Sequence, residues 1–137
     1  LYFASRSENI ENVIKKNIGK KIILIDRFTD STIAYQHYGM GLDKDFINKI
    51  NQFLLKKVKV NFTFLNLVNP INMKIRLSKR KNLNRYDRLS AKFYKKVQAG
   101  FVKIANSNKK KYLKINSNLD INLNKDLIIK KINKLIK

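Results

Sequence analysis

The rhythm of apolar positions changes several times along the chain, and each change marks an element. Phe3, Ile10, Val13, Ile14 and Ile18 fall at helical spacing, and Gly19 stands where it can close that helix as a C-cap. Lys21 to Ile25 is a short, continuous apolar run, which predicts a strand buried on both faces that ends in Asp26-Arg27. Helices are predicted over 29–38 and 43–57, parted by a turn at Gly39 and Gly41. Phe62 to Val68 predicts a second buried strand, stopped by Pro70. Helices over about 71–82 and 90–106 follow, then a strand at Tyr112 to Ile115. Leu127, Ile128, Ile132 and Leu135 predict a terminal amphipathic helix. Asn106 to Lys111 and Asn116 to Asn124 are polar loops.

Strands that alternate with helices predict an α/β domain with a parallel sheet. Ligands of such sheets sit beyond the carboxyl ends of the strands, where Asp26 and Arg27 fall. No repeat and no Pro/Gly/Ser-rich linker divides the 137 residues, which read as one domain or a large piece of one.

Composition narrows the chemistry. The 44% of hydrophobic residues suffices for a core. The longest apolar runs, Ile22 to Ile25 and Phe62 to Leu65, are strand-sized, far below the roughly 18–20 residues of a membrane span. No membrane association and no signal peptide are expected, and the cytoplasm is the simplest location. The chain has no cysteine and one histidine, which excludes disulfides and thiolate metal sites and disfavours a His-based one, so no protein metal site is expected.

The net charge of +22 suggests nucleic acid at first sight. Its makeup argues otherwise. Lysine supplies 25 of the 31 basic residues, spread over nearly every segment, and asparagine occurs 18 times. Lys, Asn and Ile are what AT-rich codons favour, so a solvated lysine coat explains the charge without a specific nucleic-acid partner. Attraction to phosphate-bearing ligands follows from it all the same. A basic nucleic-acid-binding module, the rival reading, would gather its arginines and aromatics on one surface.

Against that background the six arginines are informative, because a planar fork grips phosphate or carboxylate with two bonds. Arg6 lies on the first helix, Arg27 at a strand end, and Arg76, Arg80, Arg85 and Arg88 within one short stretch. Arg88 is best read as surface charge. The run from Asp26 to Gln36 delivers an acid and an arginine to the sheet edge and then starts a helix, on which Ser31, Tyr35 and Gln36 recur toward one cleft. A tyrosine on a helix is more often core than ligand. With Arg27 beside it, a pocket for a small phosphorylated aromatic ligand is expected.

Here the sequence resembles the bacterial thymidylate kinases. That family carries a strand ending in Asp-Arg-aromatic, then a Ser, an Ala-Tyr-Gln and a Gly-x-Gly-Leu turn. This chain reads Asp26-Arg27-Phe28, Ser31, Ala34-Tyr35-Gln36 and Gly39-Met40-Gly41-Leu42. Tyr2 stands four residues before Arg6, as the family's aromatic stands before its arginine. Asn69-Pro70 opens the family's lid segment, and the pattern continues without a gap to Phe101. This register lays Arg76, Arg80 and Arg85 on lid arginines and the family's Asp-Arg-x-Glu on Asn84-Arg85-Tyr86-Asp87. Asp87-Arg88, the literal match, would need compensating insertions and deletions.

The resemblance implies the fold of the P-loop nucleoside monophosphate kinases, a three-layer parallel sheet, with a dTMP-binding region at about 1–43 and a lid at about 70–90. It implies transfer of the γ-phosphoryl of ATP to dTMP, with Mg2+ bridging phosphates, in an enzyme that is a homodimer at full length. Tyr2 would stack on thymine and Arg6 reach its edge. Arg27 would hold the dTMP phosphate with Asp26 alongside, and Ser31, Thr32 and Gln36 would sit nearby. Tyr35 would crowd the sugar where a ribose hydroxyl would lie, and Arg80, supported by Arg76 and Arg85, would serve the transferring phosphoryl. Departures include Val60-Asn61 for a Pro-Asp, Leu67 for an acid and Gln98 for a basic residue. The family's Gly-rich loop ending in Gly-Lys-Ser/Thr has no counterpart. Gly19-Lys20-Lys21 lacks the earlier glycine and the hydroxyl residue, and Gly39-x-Gly41 reads as a turn. The chain is therefore expected to be the C-terminal part of such a kinase, without the N-terminal strand and loop and inactive alone. A catalytically degenerate kinase-like domain is the further alternative.

Overall fold

The computed structural model describes residues 1–56, 58–82 and 89–136. In chain order the helices are α1 (Tyr2–Asn9), α2 (Lys15–Asn17), α3 (Thr29–Thr32), α4 (Lys44–Leu55), α5 (Pro70–Ser78), α6 (Ala91–Ser107) and α7 (Ile121–Leu135). Strands β1 (Thr63–Leu67) and β2 (Tyr112–Asn116) pair in parallel, Thr63 opposite Tyr112 and Leu67 opposite Asn116. The chain is thus α/β with a small parallel sheet.

Helix starts follow the side chains that can satisfy a first-turn N–H. Asp43 accepts from the Phe46 N–H at 2.6 Å at the head of α4, and Asn69 from Asn72 at 2.7 Å before Pro70 opens α5. Ser90 caps α6 through the Phe93 N–H, and Asp120 caps α7 through Asn122 and Leu123. Gly19, at φ +75°, ends the first helical run as expected.

Two π-helical stretches interrupt the α geometry. Ile10–Ile14 joins α1 to α2, and Ile33–Gly39 continues α3 to the Gly39–Leu42 turn. In the second, the Met40 N–H reaches back to the Tyr35 carbonyl at 3.0 Å, five residues earlier. Such widened turns recur at functional sites. This one packs along α6, where the two backbones approach so closely that a Cβ on Gly100 would lie 2.6 Å from the Tyr38 ring. Val97 and Ala105 are buried on α6, as is Ala34 on the π-helical stretch. A second cluster joins Ile10, Ile14 and Val58 to Ile23, Phe28, Leu54 and Leu55.

One expectation is overturned. Lys21 to Ile25 forms no strand, and among the described residues the only sheet pair is β1 with β2. A run with apolar side chains on both faces needs neighbours on both faces. Here Ile23 packs on the core cluster, but Leu24 is 80% exposed and Ile22 63%.

Asp30 ties α3 to the sheet. Its Oδ2 accepts from the Tyr112 hydroxyl at 2.7 Å. Burial raises the Asp30 pKa above the ordinary carboxylate range, and the Tyr112 bond only partly opposes that. Burial also raises the pKa of Tyr112, with its bond to Asp30 acting in the same direction, so the phenol remains the donor. A carboxyl with a raised folded pKa binds its proton more readily in the folded state. Its favourable effect on stability is complete below the ordinary range and is lost as pH rises through the folded pKa. Asp30→Asn keeps an oxygen for Tyr112 and removes the buried charge. Its melting temperature is expected to exceed that of the unaltered protein at pH 7, and the gap should close below about pH 4, in thermal unfolding across pH.

Candidate functional site

The corner at Asp26–Phe28 organises the site. Arg27 adopts φ +62°, a left-handed conformation that costs a non-glycine residue about 1–3 kcal/mol and persists where surroundings impose it. Its Nη1 donates to the Tyr35 hydroxyl at 3.2 Å, and the guanidinium lies 5.5 Å from the Tyr35 ring centre. Burial opposes its charge, but the Tyr35 hydrogen bond and the nearby Asp26 carboxylate outweigh that and raise its pKa, so Arg27 stays cationic. Tyr35 is also a packing residue. Its ring centre lies 6.0 Å from that of Phe93 and 6.3 Å from that of Phe101, which fixes the ring in place on α6.

Arg6 is held from three other elements. Its Nη2 donates to the Phe28 carbonyl at 3.2 Å and to Thr32 Oγ1 at 2.7 Å, and its Nη1 donates to Asn51 Oδ1 at 3.2 Å. The rings of Phe28 and Phe3 lie 5.5 and 5.7 Å from the guanidinium. All three acceptors are neutral, and burial lowers the Arg6 pKa.

These side chains converge. Tyr2, Arg6, Arg27, Ser31, Thr32, Tyr35 and Gln36 line one open cleft of about 160 Å3, together with Phe28. Asp26 borders an adjoining depression with Ser5, Asn9 and Ile25. Ser31 and Thr32, then Tyr35 and Gln36, are two neighbouring pairs one turn apart on the helix that passes into the π-helical stretch.

Of the three arginines that the resemblance assigns to a lid, Arg76 and Arg80 do not line this cleft. Arg76 Nη2 donates to the Ser117 carbonyl at 2.5 Å, linking α5 to the loop after β2. Arg80 lies just past the end of α5 and is exposed. Arg85 lies outside the described residues. Gln98, where the resemblance leads one to expect a basic residue, donates from Nε2 to the Val68 carbonyl at 3.0 Å and so fastens α6 to the end of β1.

Two contributors escape sequence reasoning. Phe28 counts there only as the motif's aromatic, yet its carbonyl anchors Arg6 and its ring walls the cleft. Asn51, one of many asparagines on a helix, carries no local signal at all. No group of three or more His, Asp or Glu able to hold a metal occurs among the described residues, and no helix there is long and apolar enough to cross a membrane.

Known proteins carry the same pattern. A profile of the thymidylate kinase family matches residues 1–128. A thymidylate kinase of Sulfurihydrogenibium sp. is 33% identical over 125 residues, covering 88% of this chain and 59% of that protein. One from the Wolbachia of Brugia malayi is 38% identical over 106 residues, covering 77% and 50% respectively. The crystal structure of a thymidylate kinase from Ehrlichia chaffeensis superposes with a TM-score of 0.72 at 32% identity, over 96% of this chain and 61% of that one. The chain thus spans half to about three fifths of the length of these relatives. With the profile matched from its first residue to its 128th, this chain belongs to the thymidylate kinase family.

Proposed function

We propose that the cleft is the dTMP site of a thymidylate kinase that transfers the γ-phosphoryl of ATP to dTMP. The observation that carries this reading is the convergence of Tyr2, Arg6, Arg27, Ser31, Thr32, Tyr35 and Gln36 on one cleft in a chain of this family. Arg27 offers a permanent cation at the strained corner, suited to the acceptor's phosphate. Tyr2, exposed at the rim, offers a ring for the base, and Arg6 faces the base from the cleft wall. Tyr35, clamped by Phe93 and Phe101, would crowd a ribose 2′-hydroxyl and so favour a deoxynucleotide.

Catalysis is positioning plus charge neutralisation. Mg2+ would accompany ATP as co-substrate and would supply charge neutralisation at the phosphates. Asp26, the carboxylate in the adjoining depression, would hold the metal's waters or orient Arg27. Arg80, with Arg76 and Arg85 in support, serves the transferring phosphoryl. No Gly-x-x-x-x-Gly-Lys-Ser/Thr sequence occurs in the 137 residues, so residues 1–137 alone are proposed to be inactive.

The test is phosphorylation of dTMP, dUMP, dGMP and UMP by the complete gene product with ATP and Mg2+. Preference for dTMP is expected, and equal use of all four overturns the reading.

A further inference from the structure

We propose that Asn51 is a positioning residue for base recognition and acts through Arg6. The inference rests on the reading of the cleft as a dTMP site. Asn51 lies on α4, 45 residues from Arg6, and is 5% exposed. Its Oδ1 accepts from Arg6 Nη1, whereas its Nδ2 is buried with no hydrogen-bond partner. The two halves of the amide are therefore unequal. Turned the other way, Nδ2 would face a guanidinium that can only donate, so Arg6 dictates the orientation and Nδ2 bears the cost. A residue present only to fill the core would carry no such penalty, since an apolar side chain fills the same volume without it.

The geometry shows what the amide does. Arg6 Nη2 spends both hydrogens on Phe28 and Thr32, which fixes one end of the fork. The bond to Asn51 fixes the other end, so the plane of the guanidinium is set by three acceptors from three places in the fold. One Nη1 hydrogen and the Nε hydrogen are left for a ligand in the cleft that Arg6 lines. A guanidinium so held donates to an oxygen on the base edge and repels an amino group there, which separates thymine from cytosine.

The experiment measures dTMP and dCMP affinity by titration calorimetry on the complete gene product, unaltered and carrying Asn51→Leu or Asn51→Asp. Asn51→Leu removes the acceptor at similar volume and is expected to lower the dTMP-to-dCMP affinity ratio about tenfold, the worth of a hydrogen bond to a charged group. Asn51→Asp keeps an oxygen at the same place and is expected to retain the ratio within about threefold of the unaltered protein. Should Asn51→Leu not fold, Asn51→Ser, whose hydroxyl is too short to span the distance, carries the same comparison. An unchanged ratio in the variant lacking the acceptor overturns the inference and leaves the dTMP site standing, as does an equal loss in Asn51→Asp. Failure of the unaltered protein to bind dTMP overturns both.

Discussion

Arg27→Ala should lower kcat/KM for dTMP about a thousandfold in the complete enzyme. A guanidinium that grips a phosphate makes two charge-assisted hydrogen bonds, each worth roughly 1.5–3 kcal/mol, and every 1.4 kcal/mol is tenfold in rate. The loss should fall on KM as well as kcat, because the grip exists before the phosphoryl moves. Arg27→Lys keeps the charge but not the fork, and should recover only part of the loss. The corner itself sharpens the contrast. At φ +62° the backbone is already strained, and lysine inherits the strain without the hydrogen bond to Tyr35 that helps hold the side chain in place. Steady-state kinetics over a range of dTMP decide the matter, and full activity of Arg27→Lys would remove the two-point grip from the account.

Arg80→Ala should cost on the order of a thousandfold in kcat, the effect of withdrawing an arginine from a transferring phosphoryl. The expected signature differs from that of Arg27. The dTMP KM should change little, since Arg80 lies past the end of α5 and does not line the cleft proposed to take dTMP. Arg76 already donates to the Ser117 carbonyl, so Arg76→Ala should act more weakly, through the placement of α5. A kcat within tenfold of the unaltered enzyme for Arg80→Ala would move the phosphoryl-handling role to another lid arginine.

The cleft is legible in the sequence because most of its wall comes from one contiguous run, Asp26 to Gln36. The helices are legible from the spacing of their apolar positions, although Asn116 to Asn124, read as a loop, holds the Asp120 cap and the first turn of α7. What escapes is set by partners distant in the chain. An apolar run such as Lys21 to Ile25 looks the same whether or not a neighbour exists to complete its ladder, and here none does among the described residues. Asn51 acquires its meaning only from a guanidinium 45 residues away. The π-helical stretches leave no trace because an apolar stripe tolerates both windings, and the close packing of α6 on the π-helical stretch accompanies the wider one.

That winding bears on how relatives of this chain are aligned. A π-helical stretch carries more residues per turn than an α-helix, so adjacent side chains diverge by a smaller angle, and neighbours such as Tyr35 and Gln36 can share one wall. A one-residue gap between Ser31 and Gly39 is consequently a rewinding rather than a change of loop length. The segment tightens to α geometry, neighbouring side chains diverge by about 100°, and the positions of Tyr35 and Gln36 along the cleft wall shift. An indel in that window is therefore expected to reshape the wall of the cleft, even where every flanking motif is intact.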